Sequence, residues 1–242
     1  MTLSRQTLTL IALISFAAGC KDHPDTNDPK NKVSHTPAAP PTSVIGSWSG
    51  MLDGNKITLF IDRMDNGAIS GYSVCAGNDR PFNGTYSETE PGIFKAAATE
   101  PGDNKYDGKF EMAISQSPLQ IEGTWTPLNP AQTTRNFHLS RKNFKYDTAA
   151  GTYTEASTRV LTTDDVENLY KEDLRYMRNE IYARHGYSFK LKEVRAMFDY
   201  KAWYMPVSTD VRKKLTPIEI KNEQLIKHYE KYAETNYDDY GR

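Results

Sequence analysis

Arg178, Asn179, Glu180, Arg184 and His185 crowd one short stretch of this 242-residue chain, and their side chains are varied enough to act on a substrate. A histidine can serve as general base, a glutamate as general acid, and an arginine as a clamp on an anion. The same groups also suit a structural task. A small helical module has little apolar core, and a hydrogen-bonded network between helices can supplement it. On that reading Arg178, Asn179 and Asn222 form the network. Asn222 lies between Ile218 and Leu225 on an apolar stripe, a natural partner for Asn179 or Arg178. Arg184 and His185 stand beside Gly186, where a helix ends and side chains can reach out. With Trp203 and Tyr204 they are the ligand-binding candidates. Tyr182, Tyr187, Trp203 and Tyr204 read as core or groove, and aromatic rings beside arginines can stack on a sugar or hold a peptide.

Other chemistries find no pattern. The five histidines are scattered, with no HExxH, H-x3-H or Cys/His cluster for a metal. A serine nucleophile elbow of the form GxSxG is missing, as is a glycine loop for phosphate. No catalytic residue, cofactor or metal ligand is therefore assigned, and the protein reads as a non-enzyme. Thirty Lys and Arg against 31 Asp and Glu leave a net charge of −1, so a nucleic-acid partner has no electrostatic support.

The elements that must hold these residues begin at Val160. Thr162-Thr-Asp-Asp165 can cap a first short helix. Leu174, Met177 and Ile181 mark the buried face of the next, and Gly186 suits its left-handed stop. A further helix is expected over 191–200, with Val194, Met197 and Phe198 inward. The last begins at Thr216-Pro217-Ile218-Glu219, a capping box with proline at the first helical position. Its buried stripe is expected along Ile218, Leu225, Tyr229 and Tyr232.

Upstream, residues 45–145 alternate apolar and polar side chains between turns such as Asp65-Asn66-Gly67. Gly46-Ser-Trp48, Gly84-Thr-Tyr86 and Gly123-Thr-Trp125 recur as a weak internal repeat, and the runs between them total eight strands. Eight meandering strands can close into a barrel. The GxW opening resembles lipocalin- and avidin-type barrels in architecture only. Trp48, Tyr86 and Trp125 read as packing at the core or barrel end, or as an aromatic ligand cup. The expected fold class is thus two-domain: an antiparallel β-meander or eight-stranded barrel, then a small α-helical domain.

The N-terminus supplies an address. An apolar run over Leu8–Ala18, after Arg5, is too short to remain as a membrane-spanning helix and reads as a secretory signal. It ends in Ala17-Ala18-Gly19-Cys20, which resembles a bacterial lipobox with Ala17 in place of the usual leucine. The resemblance implies a signal peptide at 1–19, removed to leave a lipidated Cys20, with acyl chains as the membrane anchor. Lys21, where an aspartate would retain the protein at the inner membrane, favours the outer membrane. Residues 20–44 are then a disordered tether, too poor in apolar side chains to fold. Cys75 is left without an intrachain partner and reads as a small hydrophobe.

The word Arg178-Asn-Glu-Ile-Tyr-Ala-Arg-His-Gly186 resembles the signature of the YARHG domain. So do the Trp203-Tyr204 pair before Pro206 and Asn222-Glu-Gln-Leu-Ile226, and the likeness spans 161–232. It implies a helical, extracytoplasmic binding or recognition module and no reaction. The expected organisation places the β-domain at 45–145, a linker at 146–159, the helical domain at 160–236 and a tail at 237–242. The expected function is non-catalytic recognition at the bacterial cell envelope, of cell-wall glycan or peptide. Two alternatives belong to other classes: an envelope hydrolase with a site between the domains, and an adaptor that contacts another envelope protein.

Overall fold

A computed structural model of the protein describes residues 43–102 and 107–236. The signal segment, Cys20, almost all of the expected tether, and the tail lie outside the described residues.

Residues 46–141 form an eight-stranded antiparallel barrel: β1 (Gly46–Leu52), β2 (Asn55–Asp65), β3 (Ala68–Cys75), β4 (Asn78–Glu90), β5 (Ile93–Thr99), β6 (Gly108–Gln116), β7 (Leu119–Pro127) and β8 (Arg135–Arg141). Each strand pairs with the next, and β1 also pairs with β8 through Trp48 opposite Arg141, so no strand edge is left unpaired. Alternation sets which side chains point inward. In β5 Phe94, Ala96 and Ala98 are buried while Lys95 and Ala97 are exposed. The β2–β3 hairpin turns on Asn66 and Gly67, both at positive φ (47° and 77°), the geometry of a two-residue turn that matches strand twist.

The three repeat units open β1, recur inside β4 and recur inside β7, so the strands group as three, three and two. Trp48 is fully buried and Trp125 nearly so, whereas Tyr86 packs partly against the same core. The two tryptophans sit at opposite ends of the barrel, since their partners on β8 are Arg141 and Arg135. Phe82, Phe110 and Phe137 fill the space between, ring on ring.

The helical region contains α1 (Glu155–Thr158), α2 (Lys171–Arg184), α3 (Lys192–Phe198) and α4 (Pro217–Asn236). Helix α2 stops as expected at Gly186, whose φ is +74°. The Gly186 amide donates to Ala183 O and that of Tyr187 to Tyr182 O. A Cβ at Gly186 would lie 2.5 Å from Val207 Cγ2, so both conformation and space require glycine.

Two expectations are corrected. On α4 Leu225 and Tyr229 pack against the core and Asn222 is buried, as expected, but Tyr232 is exposed, and Glu219, Glu223, Ile226 and Ala233 complete the buried face. Polar groups hold the buried face because their partners lie beneath it, and apolar periodicity misplaces such a face. The segment 146–159 is not a bare linker. Tyr146 stacks on His185, and Ala156 belongs to the helical core with Leu161, Leu174 and Ile226.

The barrel touches the helical domain through lysines. Lys56 Nζ donates to the carbonyls of Lys201 (2.6 Å) and Tyr204 (3.2 Å), and Lys142 Nζ to that of Ala202 (2.6 Å). These carbonyls belong to the loop that follows α3. Burial, with the neighbouring Lys142 charge, lowers the Lys56 pKa to about 8. The Gly77 amide donates to Ser188 Oγ at 3.0 Å. Cys75, half-buried at the same end, has its thiol pushed up to about 12 by burial, which makes it a poor nucleophile.

Candidate functional site

One turn of α2 separates Glu180 from Arg184, which sets both on one side of the helix. Both side chains are fully buried and meet at 2.8 Å. The chain before α1 folds back over them. Arg184 donates to Ala150 O (2.7 Å), Tyr153 O (2.8 Å) and Ser157 Oγ (3.0 Å). Glu180 accepts the amides of Thr152 (2.8 Å) and Tyr153 (2.7 Å). Gly151 completes the fit. Its φ is +101°, and a Cβ there would lie 2.3 Å from a Glu180 oxygen.

His185, next along the chain, is also buried. Its Nε2 lies 2.7 Å from Glu219 Oε2, and its ring stacks on Tyr146 at 4.3 Å. Glu219 is the acid of the α4 capping box: its Oε2 accepts the Thr216 amide, and its own amide donates to Thr216 Oγ1. Its Oε1 accepts the hydroxyls of Ser157 (2.7 Å) and Tyr146 (3.0 Å). Burial alone raises a carboxyl pKa. The hydrogen bonds from His185, Thr216 and Ser157 together outweigh it and hold Glu219 at about 2, ionised at neutral pH.

The outward reach expected of Arg184 and His185 is therefore corrected. Both are enclosed because segment 146–157 covers the end of α2, supplying Ala150, Tyr153 and Ser157 to Arg184 and the Tyr146 ring to His185, while α4 supplies Glu219 to His185. Tyr204 is 1% exposed and donates its hydroxyl to Tyr187 O at 2.6 Å. Trp203 is half-buried, edge-on to Phe198. These four do not converge on one surface patch.

Arg178 joins α2 to α4 through a two-pronged pair with Glu230, at 2.7 and 3.0 Å. Asn179 bonds within its own helix, to Arg175 O at 2.8 Å. Asn222 meets neither, contrary to the expected pairing. It accepts the Leu161 amide and donates to Ala156 O and Arg159 O, tying α4 to the chain around α1. Sequence reasoning missed Glu230, Ser157 and Tyr146 as partners. Only Glu219 carried a signal, through its capping box.

Residues 150–231 match the YARHG domain model. No curated protein and no solved structure matches the chain. The match begins at Ala150, the first residue whose backbone binds Arg184, so the YARHG domain includes the cover over Glu180 and Arg184. It takes in about a third of the chain and leaves the barrel outside.

With Glu180, Arg184 and His185 enclosed, the YARHG domain still presents a groove of about 450 Å³, lined in part by Arg178, Tyr182, Tyr187, Leu191, Val211 and Arg212. Carboxylates hold its arginines in place: Glu230 for Arg178, and Asp210 for Arg212 at 2.7 Å. The Tyr182 hydroxyl donates to Glu223 at 2.9 Å, and the Tyr182 and Tyr187 rings lie 6.0 Å apart. Leu191 is 59% exposed. Oriented guanidiniums beside aromatic and aliphatic side chains can bind a polar polymer by stacking and hydrogen bonding.

Proposed function

We propose that this protein is a lipid-anchored bacterial envelope protein that recognises cell-wall glycan or peptide, without catalysis, through the groove of its YARHG domain. The observation that carries this reading is the groove itself, with two tyrosines between arginines already fixed by carboxylates. The burial of His185 and Glu180 supports it. Both side chains are enclosed, Glu180 fully and His185 almost so, whereas a general acid or base must reach the substrate proton.

The test uses the chain from residue 21 onward, incubated with purified sacculi and sedimented. Arg212→Ala and Leu191→Asp change exposed groove side chains and should each weaken retention about tenfold, equivalent to about 1.4 kcal/mol, with unchanged melting temperature. Full retention of both variants would reject the groove, and failure of the wild type to sediment would reject a wall ligand.

The anchor is part of the same proposal. Ala17-Ala18-Gly19-Cys20 supports lipidation at Cys20, and Lys21 supports sorting to the outer membrane. Cys20→Ser should abolish labelling by radioactive palmitate and move the protein out of the membrane fraction. Unaltered mass and fractionation would remove the anchor from the proposal.

A further inference from the structure

A second cavity, of about 860 Å³, lies at the end of the barrel that carries Trp125, where Lys190 and Arg195 of the helical domain join its wall. Its volume is in the range of small-molecule sites. Phe110 and Trp125 line it as apolar surface. Trp125 is held rigidly: its Nε1 donates to Glu100 Oε2 at 3.0 Å, and the same carboxylate accepts the Gly108 amide (2.8 Å) and the Ser73 hydroxyl (2.8 Å). Glu100 is 3% exposed, and burial raises its carboxyl pKa in spite of these three hydrogen bonds.

Around this base the lining is cationic. Arg80, Arg135, Lys190 and Arg195 stand against the acidic Asp53 and Glu100. The Arg135 guanidinium lies 5.2 Å from the Trp125 ring centre and donates to Gln132. Arg80 Nε is buried and 3.4 Å from Asp107 Oδ1, without hydrogen-bond geometry to it. That ion pair orients the guanidinium, and an oxyanion can bind its outer edge.

We infer that this cavity binds a small organic anion, its carboxylate or phosphate held by Arg80 and Arg135 and its body lying against Trp125. Low-dielectric walls and an excess of cations concentrate such anions there. The shape of the site favours an anion with a flat or apolar body over a bare inorganic ion, since Trp125 and Phe110 offer nothing to the latter. Arg80, Arg135, Glu100 and Trp125 precede the YARHG match, whereas Lys190 lies within it and lines both this cavity and the groove, so the test rests on the barrel arginines.

The probes are phenyl phosphate, benzoate, inorganic phosphate and the neutral benzyl alcohol, titrated into the chain from residue 21 onward. Binding is read by calorimetry and by the indole NMR signal of Trp125. At least one aryl anion should bind and shift that signal, and the tighter of the two identifies the headgroup. Inorganic phosphate should bind at least about tenfold more weakly, and benzyl alcohol weaker still. Arg80→Gln and Arg135→Gln should each reduce aryl-anion affinity about tenfold while leaving sacculus retention intact. Arg135 lies partly exposed over the ring, so its variant serves if Arg80→Gln does not fold. The inference is overturned if neither aryl anion binds up to about 10 mM, if inorganic phosphate binds as tightly, or if folded variants bind like wild type.

Discussion

Glu180→Ala should destabilise the YARHG domain by about 3–5 kcal/mol, the cost of leaving one member of a buried ion pair behind. Arg184 would keep its charge in a fully enclosed site, and the amides of Thr152 and Tyr153 would lose their acceptor. Urea unfolding of the chain from residue 21 onward, followed by amide signals of α2 and α4, measures the loss. Replacing both partners by apolar residues, as Glu180→Leu with Arg184→Met, removes the stranded charge. The double variant should therefore lose less than the two single alanine variants added together, because the remaining cost is the unpaired backbone of 150–153. A loss below about 1 kcal/mol in Glu180→Ala would show that water or a neighbouring group solvates Arg184, and that the pair does not hold the domain.

Trp48→Ala should cost the barrel about 3–5 kcal/mol. The ring is fully buried where β1 meets β2 and β8, its Nε1 donates to Val44 O at 2.9 Å, and the Arg141 guanidinium covers it at 5.3 Å. Truncation removes this plug from one end and leaves the guanidinium without its ring. Denaturation followed by strand circular dichroism should show an earlier barrel transition, with the YARHG transition shifted less. A wild-type barrel midpoint would mean that the end of the barrel collapses around the alanine, and that Trp48 is not a keystone of the core.

Trp48 also illustrates what was legible in the chain. A glycine two residues before an aromatic, three times over, together with strict alternation and an Asn-Gly turn, describes eight short strands of one meander. Each of these signals is local: pleat and turn conformation depend on residues a few positions apart. The helical stops behave likewise. Gly186 and the Thr216–Glu219 capping box are set by neighbours within one turn, and both stand where they were expected.

The signature residues show the opposite case. Arg184 and His185 looked free because their sequence neighbours offer them nothing except the dipole of their own helix. Their partners, Ala150, Ser157 and Glu219, come from 27 to 34 positions away along the chain. Asn222 likewise takes partners more than sixty positions upstream, and not the side chains on α2 that periodicity suggested. The sequence by itself determined the eight strands and their alternation, helices α2 to α4, the Asn66-Gly67 turn, the Gly186 stop and the Thr216 cap, though not α1, because backbone propensity and periodicity act over a few residues. Which polar groups are spent on holding the YARHG domain shut, and which are left to line a groove or the barrel-end cavity, only the tertiary structure decided. A buried charge is tolerated only where distant segments bring it a matching partner, and no local pattern records that meeting.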